Sequence, residues 1–298
     1  MLYKALRIYE LDKKDAISAD KLTKAIEMNP FESVADSSVS KPKSLGWYPP
    51  AYVERDDRMV YSLDKFSMFC LRTEERKIKP SMVGAKLRQR IAKHAQSFGE
   101  SPQSKQIKEY QEEIEAQLLR QVPPEDSFIH AAYDHIHNRI IVDASSSGKA
   151  EEVLAFLRKS LGSLPLDVWH CKNAPGTLFT SWLREEHIGG RFDFGDEVVL
   201  KAPGEKESKA TLVKHDLLCD EVSTHLDSDK LVQKMGISYD GILSFCIDVD
   251  LAITKLTFME LNVDLKDTSP IEAFDMTYSI VLPQYRVLIN ELMVELDK

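Results

Sequence analysis

Positively charged side chains are concentrated in one segment of this chain, residues 76–108, where nine Lys and Arg residues accompany a single acid, Glu100. The chain as a whole is acidic, with 48 Asp and Glu against 39 Lys and Arg and a formal net charge of −9. A protein that gathers positive charge in one segment usually presents it to a polyanion or to an acidic partner. The residues predicted to contact phosphate groups lie in one predicted helix: Lys86, Arg88, Arg90 and Lys93.

A solvated helical surface is the alternative interpretation of these four residues, because they fall on more than one side of the helix and cannot form a single stripe. A solvated helix usually carries Glu at i, i+4 positions from its basic residues, and the next predicted helix does so. The first helix carries no such acids. This difference favours phosphate contact and leaves the solvated surface open as the alternative.

A second basic group lies in the carboxyl-terminal half, on two predicted strands. Strand periodicity places Lys230, Val232 and Lys234 on one face and Leu231, Gln233 and Met235 on the other, which predicts one cationic face and one core face. The neighbouring predicted strand, residues 210–216, contributes Lys214 and His215. Such lysines could follow a nucleic-acid backbone or could be solubilising surface residues. Neither basic group contains an ordered series of aromatic residues, so no base-stacking platform is predicted.

The sequence contains few residues that indicate metal binding or catalysis. His135 and His137, with Asp134 and His130 nearby, form the best metal candidate, although a polar hairpin turn explains them more simply. Phosphate-binding loops, zinc-protease motifs and nucleophile elbows are all missing from the sequence, and Gly189-Gly190 lacks the surrounding residues of a phosphate loop. Binding is therefore the favoured class, and no cofactor is predicted. A metal-dependent nuclease that uses Asp134, Glu151 or the carboxyl-terminal acids stays an alternative.

Composition limits the fold class and the compartment. A length of 298 residues suggests about two domains, and 43% apolar residues suffice for well-packed cores. No apolar run approaches the ~20 residues that span a bilayer, and residues 1–12 do not resemble a signal peptide, so we expect a cytoplasmic protein without membrane contact. The four cysteines are widely separated and are predicted to be buried apolar residues. They are Cys70, Cys171, Cys219 and Cys246.

The order of predicted elements indicates an α/β protein of the α+β type, with mainly antiparallel sheets and flanking helices. A strand over residues 5–11 precedes a helix capped by Ser18. Two helices, one from Lys79 to Gly99 and one capped by Ser101-Pro102, form a hairpin about 30 Å long that we expect to project as an arm. A final helix over residues 270–296 is predicted to be interrupted or kinked at Pro283. The predicted domains are 1–78 plus 125–165, the arm at 79–124, and 166–298.

The stretch Leu157–Pro165, with the sequence LRKSLGSLP, closely resembles the most recognisable segment of the bacterial RdgC family. Three further stretches agree in order and approximate spacing: GWYPP at residues 46–50, ERKIKP at 75–80, and KHDL at 214–217 followed by KLV at 230–232. The resemblance extends over nearly the whole chain. It implies a ring-shaped homodimer that is nucleoid-associated and not an enzyme. It also implies binding of double-stranded DNA without sequence preference, with single-stranded DNA as a second candidate, and restraint of RecA-promoted recombination.

The same resemblance assigns residues. The DNA-facing basic positions of the family fall on Lys214 and Lys230, with His215 where relatives carry an uncharged polar group. Relatives place aromatic residues at a dimer contact just beyond the arm, where this chain has Val122-Pro123-Pro124-Glu125-Asp126. The predicted dimer contact therefore consists of Leu118, Leu119 and Phe128. The competing hypothesis is an interaction module whose basic arm binds the recombinase directly, without DNA.

Overall fold

A computed structural model describes residues 2–34, 43–51, 57–204, 208–259 and 268–298. Its helices are α1 Ala19–Glu27, α2 Pro80–Phe98, α3 Ser104–Gln121, α4 Ser147–Leu161, α5 Pro175–Glu185, α6 Asp220–Asp227 and α7 Pro270–Leu296. Its strands are β1 Arg7–Glu10, β2 Lys43–Tyr48, β3 Tyr61–Leu63, β4 Phe66–Glu75, β5 Glu125–Asp134, β6 Arg139–Val142, β7 Asp167–Val168, β8 Phe192–Lys201, β9 Lys209–Val213, β10 Leu231–Tyr239, β11 Leu243–Asp248 and β12 Ile253–Phe258. The predicted mixed α/β class with antiparallel sheets is confirmed.

The chain packs into two compact units. The first comprises Met1–Met28, Pro49–Cys70 and Ile129–Lys298, and the second comprises Asn29–Tyr48 and Leu71–Phe128. Strands β4 and β5 run through both units, since each strand crosses a unit boundary. Packing thus places residues 166–298 in the same unit as most of the first predicted domain. The division into three predicted domains stays a prediction.

Two antiparallel sheets build the first unit. One contains the strand order β4-β5-β6-β1-β7, with β3 paired to β4, and the other has the order β12-β11-β10-β8-β9. A bridge between Leu6 and Ile253 links the segment before β1 to β12. Helix α7 supplies much of the core, because Leu282, Leu288 and Leu292 are all fully buried. Burial of these apolar side chains is the main favourable term in holding the unit together.

Helix α7 is continuous across Pro283, so the predicted interruption is wrong. A proline inside a helix removes one hydrogen bond and costs about 3 kcal/mol. Buried residues on both sides of it, including Val281 and Tyr285, offset that cost by packing in the core. Val287 is exposed although it is apolar, because it lies one residue, or about 100°, away from the buried Leu288 on the helix.

The cysteine prediction is half confirmed. Cys70 and Cys246 are buried on strands, whereas Cys171 and Cys219 are partly exposed. The two exceptions lie outside regular elements, Cys171 after β7 and Cys219 as the residue that caps α6. Connecting segments run over the protein surface, which explains their accessibility.

The second unit contains the predicted helical hairpin, α2 and α3. Lys79 caps α2, Pro80 occupies its first position, and Gly99 ends it with φ +75, a left-handed conformation that suits glycine. The predicted capping residues of α3 are wrong, because the helix begins slightly later in the sequence than predicted. Gln103, rather than Ser101-Pro102, caps this helix, because its side chain and that of Gln106 satisfy each other's backbone N–H groups.

Candidate nucleic-acid interface

Of the four predicted phosphate-contact residues on α2, two are exposed without an ion pair or side-chain hydrogen bond to any described residue, and two are engaged. Arg88 and Lys93 are exposed. Arg90 forms an ion pair with Glu113 of α3 at 3.7 Å and lies over the Tyr110 ring at 4.9 Å. Lys86 is half-buried and donates a hydrogen bond to the Gln121 side chain at 3.3 Å. Arg90 and Lys86 therefore join the two helices in addition to adding positive charge.

A shallow groove of about 250 Å³ lies between the two helices. It is lined by Lys86, Gln89, Arg90, Lys93, Glu113, Ile114 and Gln117. Three of these residues are cationic and one is acidic, so the groove keeps a positive balance even though Arg90 is paired. Oxygen atoms of a phosphate backbone are suitable ligands for such a surface.

The basic residues at the start of the arm mainly stabilise it. Arg76 donates to the carbonyl oxygen of Leu119 at 3.0 Å, which holds the start of α2 against the end of α3. Lys77 pairs with Glu75 at 3.7 Å and with Glu125 at 3.8 Å. The nine-residue count of the basic segment thus overstates the charge available to a partner.

Lys214 and His215 lie in a bend rather than in the predicted strand, because β9 ends at Val213. Lys214 has φ +56, which breaks the extended conformation and leaves its side chain exposed. The His215 backbone N–H donates to Asp196 of β8 at 3.0 Å. The His215 ring lies 3.3 Å from the Glu221 carboxylate, so an acid of this chain already occupies one side of the ring.

The predicted faces of β10 are wrong at the start of the strand, whereas Met235 is buried as predicted. Val232 is 0% exposed, although it was predicted to share the cationic face, and Leu231 is 36% exposed, although it was predicted to face the core. The cause is a β-bulge: Val232 pairs with Leu200 and Lys234 pairs with the adjacent Val199, so Gln233 has no paired residue in β8. A bulge shifts the alternation of side chains by one residue.

Lys230 and Lys234 are half-buried and engaged. Lys230 precedes β10, and its ammonium group lies 2.9 Å from the His225 ring nitrogen Nδ1. Lys234 lies 3.7 Å from the carboxylate of Glu197, which is itself buried. Burial opposes ionisation of Glu197, but the hydrogen bond from Lys255 and the charge of Lys234 outweigh it and lower the pKa of Glu197 overall.

Lys255 and Glu197 were not predicted as part of this surface. The alternation of side chains in β12 could have predicted that Lys255 lies on the strand face away from the buried Leu256. The pairing of Lys255 with Glu197 could not be predicted in this way, because it depends on the order and register of four strands. Lys214 is therefore the most accessible of the predicted sheet residues, and Lys234 shares the single negative charge of Glu197 with Lys255.

The three predicted dimer-contact residues differ in accessibility. Leu118 is 2% exposed within the single chain, and Leu119 is half-buried. Phe128 is 39% exposed, and its ring lies 5.7 Å from the Tyr48 ring. Leu119 and Phe128 are thus the members of this set that a second copy could contact.

The His and Asp residues of the metal candidate are engaged separately. The His137 ring lies 3.1 Å from the Asp134 carboxylate, which also accepts a hydrogen bond from Arg286 at 3.0 Å. The His135 ring lies 2.8 Å from the Ser67 hydroxyl, and the His130 ring donates to the Pro50 carbonyl at 3.1 Å. No group of three potential metal ligands occurs among the residues that the structure describes. The contacts favour the simpler interpretation, a polar hairpin turn.

We expect His130 to make folding sensitive to acid. Burial lowers the pKa of His130 to about 4, despite the opposing hydrogen bond to Pro50. An unfolded chain binds the proton near pH 6.5, so the free energy of unfolding should fall by about 3 kcal/mol between about pH 6.5 and about pH 4. Urea unfolding at a series of pH values measures this loss. His130→Gln should reduce the pH dependence, and an unchanged slope in that variant would assign it to other groups.

The full length of the chain, residues 1–298, matches the model of a protein family described as "Putative exonuclease, RdgC". The chain belongs to the RdgC family. Similar curated proteins carry the name recombination-associated protein RdgC. The one from Colwellia psychrerythraea is 28% identical over 299 residues, which cover 99% of this chain and 96% of the relative. Those from Aeromonas hydrophila and Psychromonas ingrahamii are 28% and 29% identical, covering 99% and 98% of this chain and 98% and 97% of the relatives.

Membership in the RdgC family supports a role connected with recombination. The family description names an exonuclease, whereas the relatives' names contain no enzymatic activity, so the prediction that this chain is not an enzyme stays a prediction. Within the described residues, no helix is both long and apolar enough to cross a bilayer.

The sequence stretches that resemble RdgC proteins mostly have structural roles here. In Leu157–Pro165, Leu157 and Leu164 are buried and Gly162 ends α4 with φ +81. In residues 46–50, Trp47 is fully buried, and its backbone exchanges hydrogen bonds with Asn29 and Phe31. These two stretches therefore stabilise the fold, whereas the stretch at residues 214–217 contains the exposed Lys214.

Proposed function

We propose that this protein binds DNA through backbone contacts, without sequence preference, and thereby obstructs recombinase filaments. One observation carries the proposal: α2 is a 19-residue helix with four Lys and Arg and no Asp or Glu, in a chain of net charge −9. Acidic surfaces repel DNA, while a local cationic surface attracts it. Contacts to phosphate groups fix the position of a protein on DNA but read no sequence.

The proposal includes a ring-shaped homodimer that encloses double-stranded DNA and restrains RecA-promoted recombination in the nucleoid. The support is membership in the RdgC family together with the accessible Leu119 and Phe128. A closed ring would retain DNA topologically in addition to the ionic contacts. Sedimentation of the purified protein measures whether a dimer forms.

Mobility-shift assays with several unrelated duplexes, and with single strands of the same length, test the binding proposal. We expect equal affinity for duplexes of different sequence. Strong preference for one sequence, or no complex with any DNA, would contradict it. The same mixtures with magnesium or manganese ions should leave end-labelled DNA intact, and release of labelled nucleotides would instead support the exonuclease description.

Reversing the free charges of α2 should weaken DNA binding strongly. The double variant Arg88→Glu and Lys93→Glu changes the local charge by four, and we expect roughly 100-fold lower affinity for every duplex. The matched control is Lys13→Glu with Lys14→Glu, which changes the total charge equally at two exposed positions of the first unit. Equal losses in both variants would show a net-charge effect and remove α2 from the interface.

Lys214 and Lys234 should behave differently when their charge is removed. Lys214→Gln removes an exposed charge, and we expect roughly tenfold weaker DNA binding at unchanged stability. Lys234→Gln leaves the buried Glu197 with fewer partners, so it should lower the free energy of unfolding and affect DNA binding less. Mobility shift and urea unfolding on both variants separate the two effects. The opposite ranking in DNA affinity would move the interface from Lys214 to β10.

The competing hypothesis of direct recombinase binding has its own test. Capture of purified recombinase by this protein should depend on DNA if the clamp proposal holds. Capture that survives complete nuclease treatment, and that is lost in the Arg88→Glu and Lys93→Glu variant, would favour an acidic protein partner for the arm.

A further inference from the structure

A cavity of about 450 Å³ lies within the first unit, among elements that the DNA-binding proposal does not use. Its lining comes from β1, the first turns of α4 and α5, the segment after β7 and the turn after β11. The lining residues are Arg7, Tyr9, Ser147, Glu151, Val168, Trp169, His170, Cys171, Pro175, Val249, Asp250 and Leu251. This volume falls in the range of small-molecule sites.

Three lining residues carry hydrogen-bonding groups without partners. Tyr9 is 4% exposed, and its hydroxyl makes no hydrogen bond with any described residue. Trp169 is 3% exposed, and its indole Nε1 lacks an acceptor within the described ranges. The same holds for the Nε of Arg7, whose guanidinium makes only a 3.3 Å contact with the Ser145 carbonyl. The Trp169 and Arg7 nitrogen atoms have almost no accessible surface of their own, so the Tyr9 hydroxyl is the one of these three donors that an acceptor in the cavity could reach.

Two helix amino termini contribute to the same cavity. Ser147 is the first residue of α4, which has 15 residues, and Pro175 is the first residue of α5, which has 11. The first turn of a helix carries a partial positive charge and N–H groups without intrahelical acceptors, which favour phosphate. This applies to Ser147 and Gly148 of α4 rather than to α5, because Pro175 has no N–H and the N–H groups of Thr177 and Leu178 donate to the Ala174 carbonyl oxygen. Arg7 adds a full positive charge on the adjacent strand. These three elements approach the cavity from different parts of the chain.

Two exposed carboxylates, Glu151 and Asp250, also line the cavity. Burial and the nearby Glu151 raise the pKa of Tyr9, while Arg7 opposes them, so Tyr9 keeps its hydroxyl proton available for donation at neutral pH. Carboxylates repel a bare anion but accept hydrogen bonds from sugar hydroxyls and amino groups. A suitable ligand therefore carries an anionic group at one end and hydrogen-bond donors at the other.

We propose that this cavity binds a nucleoside monophosphate. Its phosphate would contact Arg7, the Tyr9 hydroxyl and the first turn of α4, and its sugar hydroxyls or base amino group would contact Glu151 and Asp250. This site is separate in sequence and chemistry from the α2 surface. It involves no covalent step.

Ligand-observed NMR and calorimetry with 2′-deoxyadenosine 5′-monophosphate test the proposal on the full-length protein. We expect binding of the monophosphate and much weaker binding of deoxyadenosine. Tyr9→Phe removes only a hydroxyl, and it should weaken binding by about tenfold; Arg7→Gln should do at least the same. Lys13→Gln, at an exposed position outside this cavity and outside α2, is the matched control and should bind the nucleotide normally.

Each alternative outcome has a defined meaning. Absence of binding at millimolar nucleotide, or unchanged affinity in Tyr9→Phe and Arg7→Gln, would overturn the proposal. Equal binding of deoxyadenosine would overturn the assignment of the phosphate contacts. Loss of nucleotide binding in Arg88→Gln alone would show that the arm, and not this cavity, holds the anion. Thermal unfolding of each variant confirms that the fold is intact.

Discussion

DNA binding by this protein should weaken roughly 1,000-fold when the salt concentration rises from about 50 to about 200 mM, if about six phosphates are neutralised. The reason is that each cation that contacts a phosphate releases a counterion from the DNA, and the entropy of release falls as bulk salt rises. Among the predicted site residues, Lys93, Arg88 and Lys214 are exposed and have no ion pair within the described residues, which gives three such contacts in one chain and six in a dimer. Mobility shift or fluorescence anisotropy across a salt series measures the slope.

The arm variant provides the internal control for this experiment. Arg88→Glu with Lys93→Glu should lower the steepness of the salt dependence, by about two contacts per chain, whereas Lys13→Glu with Lys14→Glu should leave it unchanged. Sucrose at matched osmolarity should have little effect. Affinity that does not respond to salt would mean that the complex is not held by phosphate contacts, and the proposed function would fail.

Gly46→Val should destabilise the second unit severely. A Cβ atom at this position of β2 would lie 2.3 Å from the Phe31 Cα and 2.6 Å from the Pro30 carbonyl oxygen. Both are backbone atoms, so a change of rotamer cannot relieve the overlap, and the strand must separate from the segment beside it. Trp47, the next residue, is fully buried and would lose its packing. We expect a loss of about 4 kcal/mol or more in the free energy of unfolding.

Gly148→Ala is the matched control for this prediction. A Cβ atom on Gly148 meets no atom within 4 Å, and the residue lies in the first turn of α4. Alanine there should leave stability unchanged or raise it by up to about 1 kcal/mol, because alanine loses less backbone entropy than glycine on folding. Urea unfolding and near-UV circular dichroism compare the two variants. A Gly46→Val protein as stable as the control would mean that β2 and Phe31 are not in contact in solution.

Local patterns predicted the helices of this fold well, because helix ends depend on residues close in sequence. Pro80 and Gly99 delimit α2, and Ser18 caps α1 with its side chain. Patterns failed where strands pair across long distances. The two faces of β10 were exchanged in part because the bulge at Gln233 is set by pairing with β8, which no local alternation encodes.

The positive charge of the candidate interface could be predicted from the sequence, but which of its basic side chains are accessible to a ligand could not. The scarcity of acids on α2 was visible in the sequence, yet the pairing of Arg90 with Glu113 requires knowledge of how α3 packs on α2. The sequence likewise gives no sign that Lys234 is paired, whereas the structure places Glu197 of β8 beside it. Basic residues therefore identify a candidate surface, and only tertiary contacts show which of them can reach a ligand.

The α2–α3 arm leaves and rejoins one sheet at neighbouring points, because β4 and β5 are adjacent strands and Arg72 of β4 pairs with Asp126 of β5 at 3.0 Å. The hairpin is thus an insertion in a strand connection, and matched additions to both helices would extend it by about 1.5 Å per residue without repacking the strands. The length of the hairpin can therefore change in evolution without a change in the strands that anchor it. Relatives of this chain could differ in the span of their arms while conserving the sheet that anchors them.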